Sequence, residues 1–246
     1  MCTVSAALSA DGAALCIVIN RDERRLRMQA RPPAVFERDG VPAIWPVDQH
    51  AGGTWAALNA NGLAFALLNA SSSWGQSALA VEPITRGSII PFLTPACDID
   101  DAVGRFASGP AQWPCRPFKL LVASRDRTVV LTPHRSTDLQ VPFVLATSSL
   151  GDELVDGARR ALFEHLLETS PNAWRAQDRL HQHAWPDRRH LSALMSRVDA
   201  CTVSRTEMVI VGDSSEMRYA ALIDGWPAGV VTPSVKLAHR RAVAAA

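Results

Sequence analysis

No sign of charge dominates this chain: 25 Lys and Arg stand against 24 Asp and Glu in 246 residues. It therefore has no overall field to attract a phosphate backbone or an anionic membrane surface, and nucleic acid is not an expected partner. No stretch reaches the ~18 uninterrupted apolar residues of a spanning helix, because charges or prolines break every run, so integral membrane association is not expected either. The first twenty residues lack a basic segment and carry Asp11 among Ser5, Ser9 and Gly12. This does not read as a secretion signal, and the expected location is cytoplasmic. The five cysteines (Cys2, Cys16, Cys97, Cys115 and Cys201) contain no C-x-x-C pair, which argues for reduced thiols, four of them read as small buried hydrophobes. There is no G-x-G-x-x-G, no Walker loop and no internal repeat, which sets aside the nucleotide-binding folds. Gly212-Asp213-Ser214-Ser215 lacks the spacing of a nucleophile elbow, and no Ser-His-Asp set is discernible. His181-Gln182-His183 places its imidazoles about 200° apart on a helix, so no metal is expected there.

What is present is strand patterning with turn signals. Residues 2–8 and 14–20 are apolar runs on either side of Ala10-Asp11-Gly12, a hairpin. Residues 53–59 and 63–69 flank Asn61-Gly62, a strong signal for a second hairpin because both residues accept positive φ. The Pro- and charge-rich segment 31–50 between them reads as a loop. A third strand pair is predicted at 118–124 and 128–132. From 151 to 197 the period becomes helical, through Leu154, Ala158, Ala161, Leu162, Leu166 and Leu180, with Asp152 as the expected N-cap. Strands return at 202–212 and 217–222, and residues 236–246 read as a frayed, Ala-rich tail behind a single domain over 1–235. Strands, then helices, then strands suggests sheets covered by helices in layers, an α+β arrangement.

Position 2 is where chemistry concentrates. A residue as small as Cys after the initiator predicts removal of Met1, leaving a thiol and a free α-amine on one residue. That amine, with a pKa of about 7.7–8.0, is roughly 10–20% unprotonated at neutral pH and can take the thiol proton. With Asp11 and Gly12 at the turn centre, residues whose numbers sum to 23 oppose one another, so Cys2 faces Arg21. The cluster Asn20-Arg21-Asp22-Glu23 then lies beside the nucleophile. There Asp22 is placed to hold the α-ammonium and Arg21 to favour a thiolate, although a solvated strand end has the same composition. The same arithmetic brings Asn69 opposite Thr54, where it serves either as an oxyanion donor or as a turn cap.

These residues carry a resemblance. Met1-Cys2, Asn20-Arg21-Asp22-Glu23, Gly52-Gly53-Thr54-Trp55 with Asn61-Gly62 and Asn69, Thr85-Arg86-Gly87, and Ser204-Arg205-Thr206 resemble the NRDE family, also called the transport and Golgi organisation protein 2 family. More distantly they are similar to the conjugated bile acid hydrolase and penicillin acylase group of N-terminal nucleophile hydrolases. The resemblance implies a four-layer αββα sandwich with Cys2 as nucleophile and base, Asp22 as partner of the amine, Asn69 in the oxyanion hole and Arg205 as a charge near the thiol. The hydrolase pattern has Arg just before the Asn, where this chain has Ile19, so Arg21 stands in. Its second oxyanion Asn falls on Ser148.

The function expected is a cysteine N-terminal nucleophile hydrolase or acyltransferase. It would act without a cofactor on an amide-like bond of a small or acyl-bearing substrate. The alternative implied by the family is a binding and trafficking protein for haem or another hydrophobic cargo, with Cys2 or a histidine as axial ligand.

Overall fold

The computed structural model describes residues 2–70, 85–109, 116–223, 226–227 and 232–240. In chain order these hold β1 (Cys2–Leu8), β2 (Ala14–Arg24), β3 (Arg31–Arg38), β4 (Val41–Val47), β5 (Ala56–Asn59), β6 (Ala64–Asn69), α1 (Ile89–Leu93) and α2 (Ile99–Ala107). They continue with β7 (Phe118–Ala123), β8 (Thr128–Thr132), β9 (Arg135–Asp138), β10 (Phe143–Thr147), α3 (Asp152–Thr169), α4 (Ala173–Gln182), β11 (Ala200–Val211), β12 (Ser214–Ile223), β13 (Trp226–Pro227) and β14 (Val235–Ala238).

Two antiparallel sheets result. One is ordered β10-β1-β2-β11-β12-β13 with β14 added on β12, the other β3-β4-β5-β6-β7-β8-β9. Val4, Ile17, Ile19 and Met208 of the first sheet meet Leu58, Ala66, Leu68 and Leu121 of the second in one core, the inward halves of period-2 strands. The outer face of the second sheet, through Phe65, Leu67, Leu120 and Val122, is covered by Ile89, Ile90 and Leu93 of α1 and by Ala102 and Phe106 of α2. On the outer face of the first sheet, Val144 packs with Phe163 and Leu166 of α3 and Ala176 and Leu180 of α4. This is the four-layer αββα sandwich.

The first hairpin has the expected register, from Cys2 opposite Arg21 to Leu8 opposite Leu15. β2 runs on through Arg24, so the charged cluster lies inside a strand. The second hairpin is offset by one residue: Ala57 faces Phe65 and Leu58 faces Ala64, with Asn59 N donating to Leu63 O at 2.9 Å. Gly62 alone takes positive φ (77°), so the turn spans three residues with a glycine bulge instead of two residues centred on Asn61-Gly62. Asn69 therefore does not face Thr54, and on the other side of β6 it pairs with Phe118 of β7.

The segment expected as a loop from 31 to 50 is mostly the β3–β4 hairpin. Its turn is Asp39-Gly40, both at positive φ (49° and 73°), and the Pro32-Pro33 pair falls where the register shifts between Arg31 and Ala34. The helical expectation ends at Gln182. Pro171 separates α3 from α4, Asn172 caps α4 by accepting from Arg175 N at 3.0 Å, and Asp152 is the first residue of α3 with Gly151 as its N-cap. The frayed tail is also corrected: Val235 and Leu237 turn toward the core while Lys236 and Ala238 face out, and this alternation adds residues 235–238 to β12. Residues 241–246 lie outside the described residues.

Candidate active site

β1 lies between β10 and β2, which sets Cys2 opposite both Thr147 and Arg21. Its backbone N donates to Thr147 Oγ1 at 3.2 Å, and the residue is 4% exposed. Cys2 lines a cavity of ≈ 280 Å³ together with Arg21, Asp22, Thr54, Trp55 and Asn69. One wall is made where two glycine-bearing segments cross. Thr54 N donates to Gly87 O at 3.0 Å, and a Cβ on Gly53 would lie 2.5 Å from the Gly87 backbone. Gly52-Gly53-Thr54-Trp55 and Thr85-Arg86-Gly87 are therefore two halves of one structural contact that only glycine permits.

Charge is arranged in two tiers. Toward the second sheet, the Arg21 guanidinium lies 4.3 Å from the Trp55 ring centroid and donates to Asp48 Oδ2 at 2.8 Å and Glu23 Oε2 at 3.2 Å. Arg27 joins the same network through Asp48 Oδ2 at 2.6 Å. Burial pushes the Asp48 carboxyl up, but Arg27 and Arg21 outweigh it and hold the group below the usual carboxylate range. Toward the helices, Asp22 Oδ1 accepts from Thr202 Oγ1 at 2.7 Å. Beneath it sits Arg159 of α3, 1% exposed, donating to Thr3 Oγ1 at 2.6 Å and Ser192 O at 2.7 Å. Burial pushes the Asp22 carboxyl up, with Arg159 the foremost opposing charge. Asp48, Thr147, Arg159 and Thr202 were not foreseen from the sequence.

The structure brings Cys2, Arg21, Asp22 and Asn69 to one cavity, and keeps Asn20 and Arg205 away from it. Asn20 alternates onto the helix-facing side, where its Nδ2 donates to His181 O at 2.9 Å and Ala193 O at 2.8 Å. Arg205, its cross-strand neighbour, points the same way and pairs with Asp178 of α4 at 2.8 Å. Ser148 is not among the cavity-lining residues; its Oγ accepts from Leu150 N at 3.1 Å. Against the expected thiolate, in the chain that still carries Met1 burial pushes the Cys2 thiol up, helped by the Asp22 charge, and outweighs the chain's N-terminal ammonium and Arg21, which pull it down. Cys97 is exposed instead of buried, and Cys115 lies outside the described residues. The reading of His181 and His183 as two positions on one helix surface is corrected: α4 ends at Gln182 and His183 is in extended backbone beyond it, where it packs edge-on against Trp185, while His181 is buried with its Nε2 2.9 Å from Ser5 Oγ.

A carboxyl raised by burial leaves a mark on stability. Between the unfolded value of about 3.9 and the higher folded one, the folded state holds more protons, so stability falls as pH rises through that window. Asp22→Asn keeps the acceptor for Thr202 and removes the penalty. The variant should have a higher urea midpoint than the parent at pH 7 and an equal one below about pH 4. An unchanged or lower midpoint at pH 7 would show that the carboxylate is not under strain.

A family model described as Transport and Golgi organisation 2 matches residues 1–213. Among solved structures, an N-acylethanolamine-hydrolyzing acid amidase (NAAA) ortholog of Caenorhabditis elegans superposes with a TM-score of 0.55 at 17% identity, covering 85% of this chain and 92% of that one. The C2A mutant of the conjugated bile acid hydrolase of Clostridium perfringens gives 0.52 at 11% identity, with 90% and 92% covered. At these identities the likeness is one of fold. No curated protein sequence matches the chain.

Proposed function

The chain belongs to the Transport and Golgi organisation 2 family, and from that premise we propose that it is a cysteine N-terminal nucleophile hydrolase or acyltransferase acting on an amide-like bond. The observation that carries the reading is the convergence on one cavity of the Cys2 thiol, Asp22, Arg21 and Asn69, with the Cys2 nitrogen already held by Thr147 Oγ1. Removal of Met1 turns that nitrogen into a free α-amine. Burial pushes the Cys2 thiol up in the unprocessed chain; a thiol needs a base in contact with it at the moment of attack, and the amine of the same residue is that base.

Cys2 Sγ forms a bond to the carbonyl carbon while its proton passes to the α-amine. The developing oxyanion is met by the side-chain amide of Asn69. Breakage of the carbonyl carbon–nitrogen bond then hands the ammonium proton to the leaving amine and leaves a thioester on Cys2. Water, or a second amine, attacks the thioester and returns the thiol. Asp22 stabilises the transient α-ammonium.

Haem or another hydrophobic cargo fits this cavity poorly, since Arg21, Asp22, Glu23, Arg27 and Asp48 line it and a buried apolar ring would strip such groups of water without pairing them. The deciding experiment is intact-mass analysis after incubation with a panel of activated amides and thioesters. An acyl adduct on Cys2, absent from Cys2→Ala, is expected. Labelling that persists in Cys2→Ala, or none with any member of the panel, would remove the reading.

A further inference from the structure

The end of the first sheet that holds Cys2 is finished by three tight turns. There β2 ends at Arg24 opposite Ala200, where β11 begins, and β10 ends at Thr147 opposite Cys2. Beyond β2 the chain turns through residues 24–27, closed by Arg27 N donating to Arg24 O at 3.0 Å. Ahead of β11 it turns through 197–200, closed by Arg197 N donating to Ala200 O at 2.8 Å. After β10 it turns through 148–151, closed by Gly151 N donating to Ser148 O at 3.2 Å. The three are neighbours: Arg25 N donates to Asp199 O at 3.2 Å, and the Arg197 guanidinium reaches Ser149 Oγ at 3.4 Å.

Each turn carries a large aliphatic side chain at a central position, where small or polar residues are the rule. Leu26 is 100% exposed, Val198 99% and Leu150 51%. One exposed leucine needs no explanation. Three such side chains on adjoining turns make an apolar surface that gains from being covered. The charges around it are mostly of one sign, since residues 23–27, 148–151 and 197–200 hold Arg24, Arg25, Arg27 and Arg197 against Glu23 and Asp199. Arg27 pairs with Glu23 and Asp48, and Arg197 with Asp199, while Arg24 and Arg25 flank Leu26 in exposed positions. The balanced total charge of the chain conceals this local surplus.

We infer that this end of the sheet is a docking surface for a lipid bilayer with anionic headgroups, into which Leu26 and Val198 dip. Shape decides between a bilayer and a protein partner. Both side chains stand on the tips of turns, so the surface is convex and a protein would need a pocket cut for each. A bilayer takes up projecting aliphatic side chains without such a match, and its anionic headgroups attract the arginines beside them. The contact is peripheral, because no described helix is long and apolar enough to cross a membrane. Arg24 and Arg27 also line the Cys2 cavity, so docking brings the mouth of that cavity to the lipid surface. The inference needs neither the thiol nor a free α-amine and stands apart from the acyl-transfer reading.

The test is co-sedimentation of the full chain with vesicles of phosphatidylcholine alone and of equal parts phosphatidylcholine and phosphatidylserine. The parent should bind the mixed vesicles about tenfold or more tighter than the neutral ones, and should lose that preference at ~1 M salt, where the Debye length falls to about 3 Å. Leu26→Ser combined with Val198→Ser should weaken binding to the mixed vesicles by about tenfold or more, the effect of withdrawing two aliphatic side chains from a partly apolar seat. Its urea midpoint should match the parent's, since both positions face solvent. Val211→Ser, which alters an exposed aliphatic residue at the opposite end of β11, should bind as the parent does. Leu26→Trp places at the tip the side chain favoured at headgroup depth, and should tighten binding with the urea midpoint unchanged. No sedimentation with mixed vesicles overturns the inference, as does sedimentation that the double variant leaves unchanged or that Val211→Ser weakens equally. A parent that ignores vesicles but forms a dimer dissolved by the double variant assigns the surface to a second copy of the chain instead.

Discussion

Protein carrying an N-terminal tag is expected to lose about 10²–10⁴-fold of its acyl-transfer rate, the contribution of a positioned general base, while a C-terminal tag leaves the rate unchanged. The extension converts the Cys2 nitrogen from an amine into an amide, which accepts no proton at accessible pH, and it leaves the thiol in place. The loss follows from the state of that thiol. A thiolate would attack without help, but burial pushes the Cys2 thiol up against the pull of Arg21 in the unprocessed chain, so no other step supplies the missing proton acceptor. Asp22 is an unsuitable substitute, because its Oδ1 is already committed to the Thr202 hydroxyl. Retained Met1 should act as the shortest possible tag. Cys2→Ala with a free N-terminus adds no bulk and should abolish turnover, separating loss of the base from obstruction of the cavity mouth. Equal kcat/KM in tagged and untagged protein would sink the N-terminal nucleophile mechanism while leaving the sandwich untouched.

How much of this was legible in the sequence depended on how far apart the partners lie. The Cys2–Arg21 juxtaposition is local, fixed by one turn, and counting across Asp11-Gly12 gives it. The Asn61-Gly62 hairpin misled by one residue because Gly62 alone takes the positive φ, and a single-residue slip moved the expected partner of Asn69. The β3–β4 hairpin was hidden by its prolines although Asp39-Gly40 is a strong turn signal. Asn20 and Arg205 were misplaced for a reason the sequence does contain: side chains alternate along a strand, so Asn20 next to Arg21 had to face away from Cys2. The rest of the site had no local signal. Thr147 reaches Cys2 across 145 residues and Thr202 reaches Asp22 across 180, and Arg159 reads from sequence as one more charged residue in an amphipathic helix.

That last residue carries the second large effect. Arg159→Met is expected to cost about 3–5 kcal/mol, the low end for three buried acceptors left unpaired at about 1–3 kcal/mol each, or roughly 6–20 °C in Tm for a chain of this length. Two mechanisms contribute, and they can be told apart. Methionine fills much of the arginine's volume but leaves Leu191 O, Ser192 O and Thr3 Oγ1 without the donors that now reach them at 2.9, 2.7 and 2.6 Å. It also removes the foremost charge opposing the burial of Asp22, so the carboxyl either stays ionised without compensation or takes up a proton. The hydrogen-bond loss is independent of residue 22; the charge loss is not. In an Asp22→Asn background the cost of Arg159→Met should therefore shrink by about 0.5–3 kcal/mol, the coupling of residues in one network, as read from urea midpoints of the four proteins at pH 7. The coupling should also fade as the pH is lowered and the raised carboxyl takes up its proton in the folded parent. Identical costs in both backgrounds would make Arg159 a strut between α3 and β1, with no hand in setting the charge on Asp22.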